Sequence, residues 1–179
     1  MQDHITFIHG SADELDTILG QQQFDHILSI DSAYHYNTRW KFLQSAHRHL
    51  NPDGSVGLFD LALHPQLAQK MTPINEWLLA ALCSIVGIPR ANLIVADEYR
   101  KHMSILGYTE VVVDCIDQER VFNGLSRAIK RQRERCDTFG IGTSFAERCF
   151  MHISYWMFHQ LASHSWLVPV IVTAKKPLE

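Results

Sequence analysis

The amino-acid sequence predicts an α/β fold with a mostly parallel sheet, on three observations. Short, nearly continuous apolar segments rich in Val, Ile and Phe alternate with helical patterns, the order that builds βαβ units. The apolar segments lack strict in–out alternation, as strands covered on both faces do. The composition is that of a folded domain, with 46% hydrophobic and 20% charged residues over 179 positions. That length suits one domain, burying roughly 70% of the surface its unfolded chain would expose. It excludes a disordered chain, a collagen-like repeat and a disulfide miniprotein.

Five segments read as strands: residues 5–8, ended by Gly10; residues 24–30; residues 55–61, after the turn Asn51-Pro52-Asp53-Gly54; residues 109–116, around Val111-Val112-Val113; and residues 167–174. Helical patterns lie between them. Residues 11–19 offer Ser11 as an N-cap with Glu14 as its capping-box partner. Residues 38–50 bring Phe42, Ala46 and Leu50 to one face and end in His47, Arg48 and His49, where positive charge suits the helix dipole. Residues 74–86 are apolar nearly all round, which predicts a buried helix. Residues 98–106 stop at Gly107. Residues 121–135 and 145–162 complete the set, the latter rich in aromatic residues that read as core.

Sixteen Lys and Arg against nineteen Asp and Glu leave a net charge of −3, so no global excess of positive charge points to nucleic acid. The four cysteines, Cys83, Cys115, Cys136 and Cys149, form no C-x-x-C pair. The N-terminus lacks the basic and apolar regions of a secretory signal, so reduced thiols and a cytoplasmic location are expected. The apolar run from Trp77 to Ile88, broken by Ser84, falls short of the about 20 residues that span a bilayer. The basic stretch from Arg127 to Arg135 reads as a solvated helix face, with peripheral contact to an anionic lipid surface as the alternative. The eleven histidines show no H-E-x-x-H; His47 and His49, two apart on a helix, point in different directions, and His152 and His159, seven apart, could share a face but read as scattered histidines, so no metal site is expected.

The most informative stretch is residues 24–61: a strand, a polar turn, an amphipathic helix, a Pro-Asp-Gly turn and a strand. Ligands of open α/β sheets bind beyond the C-terminal ends of strands. The turn Asp31-Ser32-Ala33-Tyr34-His35-Tyr36 sits at such an end, with a carboxylate, a hydroxyl, two phenols and an imidazole.

This stretch resembles class I S-adenosylmethionine-dependent methyltransferases, above all the small-molecule enzymes of the ubiquinone and tocopherol type. Phe24-Asp25, Ser29, Asp31, His35, Phe42-Leu43, Ala46 and Leu50 fit that family's pattern, with Pro52-Asp53-Gly54 in place of Pro-Gly-Gly. Upstream, residues 5–12 resemble its strand ending in Gly-Asp-Ala. Downstream, Leu106-Gly107-Tyr108 and residues 172–177 resemble its late strands. The resemblance implies a Rossmann-like sheet with helical insertions before and after the fourth strand, at about residues 64–106 and 118–163. It also implies methyl transfer from S-adenosylmethionine to a small organic acceptor.

By that resemblance Gly10, Ser11 and Ala12 lie beside adenine, and Ile30 and Asp31 lie near the methionine end of the cofactor. Ser11 stands where the family has an acid and reads equally as a helix cap; Asp31 has a turn or cap role as its alternative. Tyr34 and His35 are the candidates for substrate contact and general-base chemistry, against a packing role in the turn. Tyr36, and Tyr155, Trp156 and His159 in the later helical cover, are candidates for substrate contact. No Gly-rich G-x-G-x-G loop occurs in the sequence. The resemblance therefore predicts a single partial domain, truncated at its N-terminus, whose first strand pairs unlike the family's or sits apart. A homo-oligomer, a complementing chain and a non-catalytic methyltransferase-like role stay open.

Overall fold

The structure, a computed structural model, describes residues 5–178. Four strands form one sheet: β1 (Phe24–Ile30), β2 (Leu50–Leu63), β3 (Thr109–Cys115) and β4 (Leu167–Lys175), in the spatial order β1-β2-β4-β3. The helices are α1 (Leu15–Leu19), α2 (Arg39–His49), α3 (Pro65–Gln69), α4 (Pro73–Val86), α5 (Ala96–Ile105), α6 (Gln118–Thr138) and α7 (Phe145–Ser163).

The sheet corrects the expectation of mostly parallel pairing. β1 and β2 run parallel, but β4 is antiparallel to both β2 and β3. The reason lies in the connections. The single helix α2 reverses the chain once between β1 and β2, so both strands point the same way. The hairpin of α6 and α7 goes out and back, so β4 enters the sheet reversed. Side-chain patterns record burial, not direction.

Residues 5–10 adopt no regular structure and lie apart from the sheet, which corrects the first predicted strand. Phe7 is 93% exposed. A short apolar run becomes a strand only where another strand supplies hydrogen-bond partners. Residues 51–54 are part of extended β2 rather than a separate turn, with Asp53 at a φ of 60° taking up the irregularity. Gly54 is required there: a Cβ would lie 2.8 Å from the Asn51 carbonyl oxygen and 3.1 Å from that of Asp25. Ser11 does cap the short 3-10 turn Ala12–Glu14, accepting from the Asp13 N–H. No Glu14 side-chain bond completes a capping box among the bonds of the described residues.

One face of the sheet carries the core. The row Ser29, Leu58, Val172 and Val113 crosses all four strands in register and is buried throughout. Phe42, Leu43 and Ala46 of α2 and Tyr99 and Met103 of α5 pack with the core on this side. The opposite face is open at its β1 margin, where Leu28 and Ile30 are 71% and 72% exposed.

Two further expectations are corrected. Helix α4 is not buried: Cys83 is its one buried residue, and Trp77 is 69% exposed. Its tie to the body is the Arg90 side chain, which donates to both Glu76 oxygens at 2.9 and 3.0 Å. The aromatic residues of α7 are likewise not core, since Phe145, Phe150 and Trp156 are exposed and Ser154 and Ala162 are the buried positions. Hydrophobicity recorded the composition of these helices but not whether a partner covers them.

At the centre, Arg39 in the first turn of α2 forms an ion pair with Asp60 of β2, both fully buried. The Tyr99 hydroxyl donates to Asp60 at 2.9 Å, the Leu61 N–H donates to it at 2.8 Å, and the guanidinium lies 4.7 Å from the Tyr99 ring centre. Removing one member strands the other charge in the core, which typically costs about 3–5 kcal/mol. Asp60→Asn and Arg39→Met are therefore expected to lower stability by that order in urea unfolding. A loss under about 1 kcal/mol would show that the pair is not a buried constraint.

Candidate active site

The site is built at the C-terminal tip of β1. The last rung of the β1–β2 ladder is the Asp31 N–H donating to the Phe59 carbonyl at 3.0 Å. Asp31 then takes a left-handed φ of 55°, a conformation in which Asp and Asn are enriched. Its carboxylate is exposed and accepts the Tyr34 hydroxyl at 2.7 Å. Burial, then the hydrogen bond and charge of Asp31, then the charge of Asp60 push the Tyr34 phenol above its ordinary range. Tyr34 is thus a neutral donor rather than a base.

Beneath the turn, the hydroxyls of Ser29, Ser32 and Tyr36 form a triangle with sides of 3.0, 3.1 and 2.8 Å. The Tyr36 phenol is therefore engaged inward, and its ring packs 4.9 Å from that of Phe42. His35 is exposed, its ring centre 4.4 Å from that of Tyr34, and its Nδ1 lies 3.0 Å from the Gly87 carbonyl oxygen. A carbonyl only accepts, so Nδ1 carries the proton, and in the neutral ring Nε2 presents a lone pair.

Two further segments converge on this turn. Asp13 accepts the Asn37 N–H at 2.9 Å, which joins the Gly10–Ser11–Ala12 segment to the end of the loop. Gly10 and Ser11 are exposed and Ala12 packs against the core. On the other side, the buried Asn92 amide donates to the Tyr34 and Tyr36 carbonyls at 3.0 and 2.7 Å. Ile30, Asp31, Tyr34 and His35 are thus gathered at one strand tip, with the 10–12 segment tied to the same loop.

Tyr155, Trp156 and His159 are placed differently. They lie on α7, whose packing is chiefly against α6, and the Tyr155 and His159 rings stack on each other with centres 6.2 Å apart. Among the described residues, no hydrogen bond or ring contact joins them to the loop. Sequence reasoning missed Asp13, Gly87 and Asn92. The available signal for Asn92 was a polar residue directly before the apolar run Leu93-Ile94-Val95. Among the described residues, no group of three or more His, Cys, Asp or Glu is arranged to hold a metal, and no helix is long and apolar enough to cross a membrane.

Comparison with known proteins bears on the fold. A methyltransferase-domain family model, Methyltransf_11, matches residues 1–58. The erythromycin 3''-O-methyltransferase of Saccharopolyspora erythraea is 28% identical over 123 residues, 65% of this chain and 38% of that protein. The phosphoethanolamine N-methyltransferase 2 of Haemonchus contortus, solved with phosphomonomethylethanolamine and S-adenosylhomocysteine, superposes with a TM-score of 0.72 at 15% identity, covering 93% of this chain and 36% of that one. A protein of Galdieria sulphuraria named as a sarcosine dimethylglycine methyltransferase reaches 0.74 at 14% identity, covering 99% and 61%. The chain has the Rossmann-like methyltransferase fold of these solved structures, and its first 58 residues match the methyltransferase-domain family model. It spans less than two thirds of the length of each of these three proteins.

The phenols give a test of the packing around the loop. Burial is the first cause that raises Tyr34, Tyr99 and Tyr108 above the ordinary value. The folded state therefore favours their neutral form. Its advantage is complete below about pH 10, where unfolded tyrosine ionises, and is lost as pH rises through the raised folded values. Near-ultraviolet titration should show these three ionising only together with unfolding, and Tyr34→Phe should remove one phenol from that late step. Ionisation of Tyr34 near pH 10 in a still-folded chain would contradict this burial.

Proposed function

We propose that this chain forms part of an S-adenosylmethionine-dependent methyltransferase acting on a small organic molecule, with its cofactor against the 10–12 segment and the tip of β1. One observation carries the reading: the Asp13–Asn37 hydrogen bond joins the chain just after residues 10–12 to the loop that follows Asp31, and the family resemblance assigns these two segments to the adenine and methionine ends of the cofactor.

The residues present suit that ligand chemically. Asp31 offers an exposed carboxylate to the cationic amino-acid end, and Gly10 and Ser11 offer backbone and hydroxyl groups to a flat heterocycle. Bound S-adenosylmethionine supplies an electrophilic methyl group on a sulfonium. What this chain contributes is alignment, because such transfer depends mostly on holding the acceptor in line with the methyl. With Nδ1 turned to the Gly87 carbonyl, Nε2 is the His35 ring atom that would take a proton from a hydroxyl or amine acceptor. Tyr34 holds Asp31 in place as a neutral donor.

The four cysteines are free, which supports a reducing, cytoplasmic setting. Among the described residues the edge of β1 away from β2 is unpaired, and it would be where a second copy or a complementing chain adds a strand. Substrate-facing roles for Tyr36, whose phenol is turned inward, and for Tyr155, Trp156 and His159, which no hydrogen bond or ring contact joins to the loop among the described residues, gain no support from this geometry.

Calorimetry with S-adenosylmethionine and S-adenosylhomocysteine tests the proposal. Both should bind. Asp31→Asn should weaken S-adenosylmethionine by about tenfold or more, the loss of one charge-assisted contact. His35→Gln should leave that affinity within about twofold, since it faces the acceptor. Absence of measurable binding to the folded chain would overturn the assignment and leave a non-catalytic domain.

A further inference from the structure

Asn92 is fully buried, and each polar atom of its side chain is engaged. Its Oδ1 accepts the Arg39 backbone N–H at 3.1 Å; its Nδ2 donates to the Tyr34 carbonyl at 3.0 Å and to the Tyr36 carbonyl at 2.7 Å. The amide can be oriented only this way, since an N–H must meet an acceptor and the two carbonyls must meet donors. The two carbonyls flank His35, and the N–H belongs to the residue whose side chain forms the buried pair with Asp60. One side chain thus links the rigid centre of the molecule to both sides of the exposed imidazole.

Asn92 is itself held. It ends the 3-10 turn Arg90–Asn92, and its N–H donates to the Pro89 carbonyl at 2.8 Å. Arg90, two residues earlier, donates to the Leu93 carbonyl at 2.7 Å and grips Glu76 of α4. The Gly87 carbonyl that receives His35 lies in the same 87–92 segment. That segment therefore fixes both the backbone of the loop and the tautomer of its histidine.

We infer that Asn92 is a positioning residue of the cofactor site, holding the 31–36 loop so that Asp31, Tyr34 and His35 keep one geometry before any ligand arrives. This rests on the reading of the site given above and deepens it: binding affinity is expected to depend on a residue that faces the loop's backbone from the core. No polar atom of Asn92 is left over to meet a ligand, which separates this role from a binding one.

Asn92→Asp and Asn92→Ala test the inference, read by hydrogen exchange of residues 31–37 and by calorimetry with S-adenosylmethionine. Asn92→Asp keeps the acceptor for Arg39 but turns a carboxylate on two carbonyls. At neutral pH, exchange in the loop should rise by about tenfold or more relative to the amides of β2 and β4, and affinity should fall by a similar factor. A carboxyl so placed has a raised pKa, so mild acid should protonate it and restore one donor. Loop protection in Asn92→Asp, corrected for intrinsic exchange, should then recover, whereas Asn92→Ala should show the loss without the recovery.

Uniform loss of protection across the sheet, or no recovery on acidification, would reduce Asn92 to a general stability residue and overturn the inference. Loop exchange and affinity both within about twofold of the parent would do the same. If neither variant folds, the parent chain decides: a 31–37 loop that exchanges as freely as residues 5–10 is not held. If the parent binds no cofactor, the functional reading falls, while loop protection still reports on Asn92.

Discussion

Arg39 enters the core at the first turn of α2 and meets Asp60 near the C-terminal end of β2, with neither side chain reaching solvent. Two opposite charges in such a place stabilise the fold only if they stay together, because an unpaired ion there costs several kcal/mol. The pair therefore fixes more than itself. Helix α2 cannot slide along the sheet without separating it. Tyr99 of α5 is drawn to the same carboxylate, which ties the two helices on the covered face to one point on β2. Trp40 and Tyr99 lie against the guanidinium at 5.3 and 4.7 Å, so the charge is enclosed by aromatic faces rather than by water.

The same centre reaches the site through backbone rather than side chain. The Arg39 N–H passes to Asn92, and Asn92 passes to the carbonyls on either side of His35. Above that platform the loop is closed by local bonds: the triangle of hydroxyls below and the Tyr34–Asp31 contact at the rim. The exposed carboxylate and imidazole thus stand on a base with no freedom of its own. The alignment proposed for this site would use such an arrangement, since misplacement of even an ångström is costly in rate.

Away from this centre the molecule is one-sided. The core face of the sheet is covered, while the opposite face carries Leu28 and Ile30 bare on β1, an edge strand paired on one side only among the described residues. Helices α4 and α7 also present large apolar side chains outward. Exposed apolar patches of this kind mark surfaces that meet something else. The three proteins compared above are all longer than the part this chain matches.

The order of elements was legible in the sequence. β1, β2, β3 and β4 stand where β-branched and aromatic runs stood, and α2 and α5 where apolar spacing and a stop at Gly107 indicated them, because burial and local propensity are written residue by residue. The turn from Asp31 to Tyr36 was legible for the same reason, as a polar cluster between a strand and a helix. What tertiary structure decided was everything that depends on distant partners. Strand direction followed from how many helices lie between strands, so β4 came in reversed. Residues 5–8 had strand composition but no neighbouring strand, and α4 had core composition but little to cover it. Asn92 lies 53 residues from Arg39 and 58 from Tyr34, and Asp13 lies 24 from Asn37. No local pattern encodes such pairs: a hydrogen bond depends on where two chain segments meet in space, and that is settled only when the core has packed.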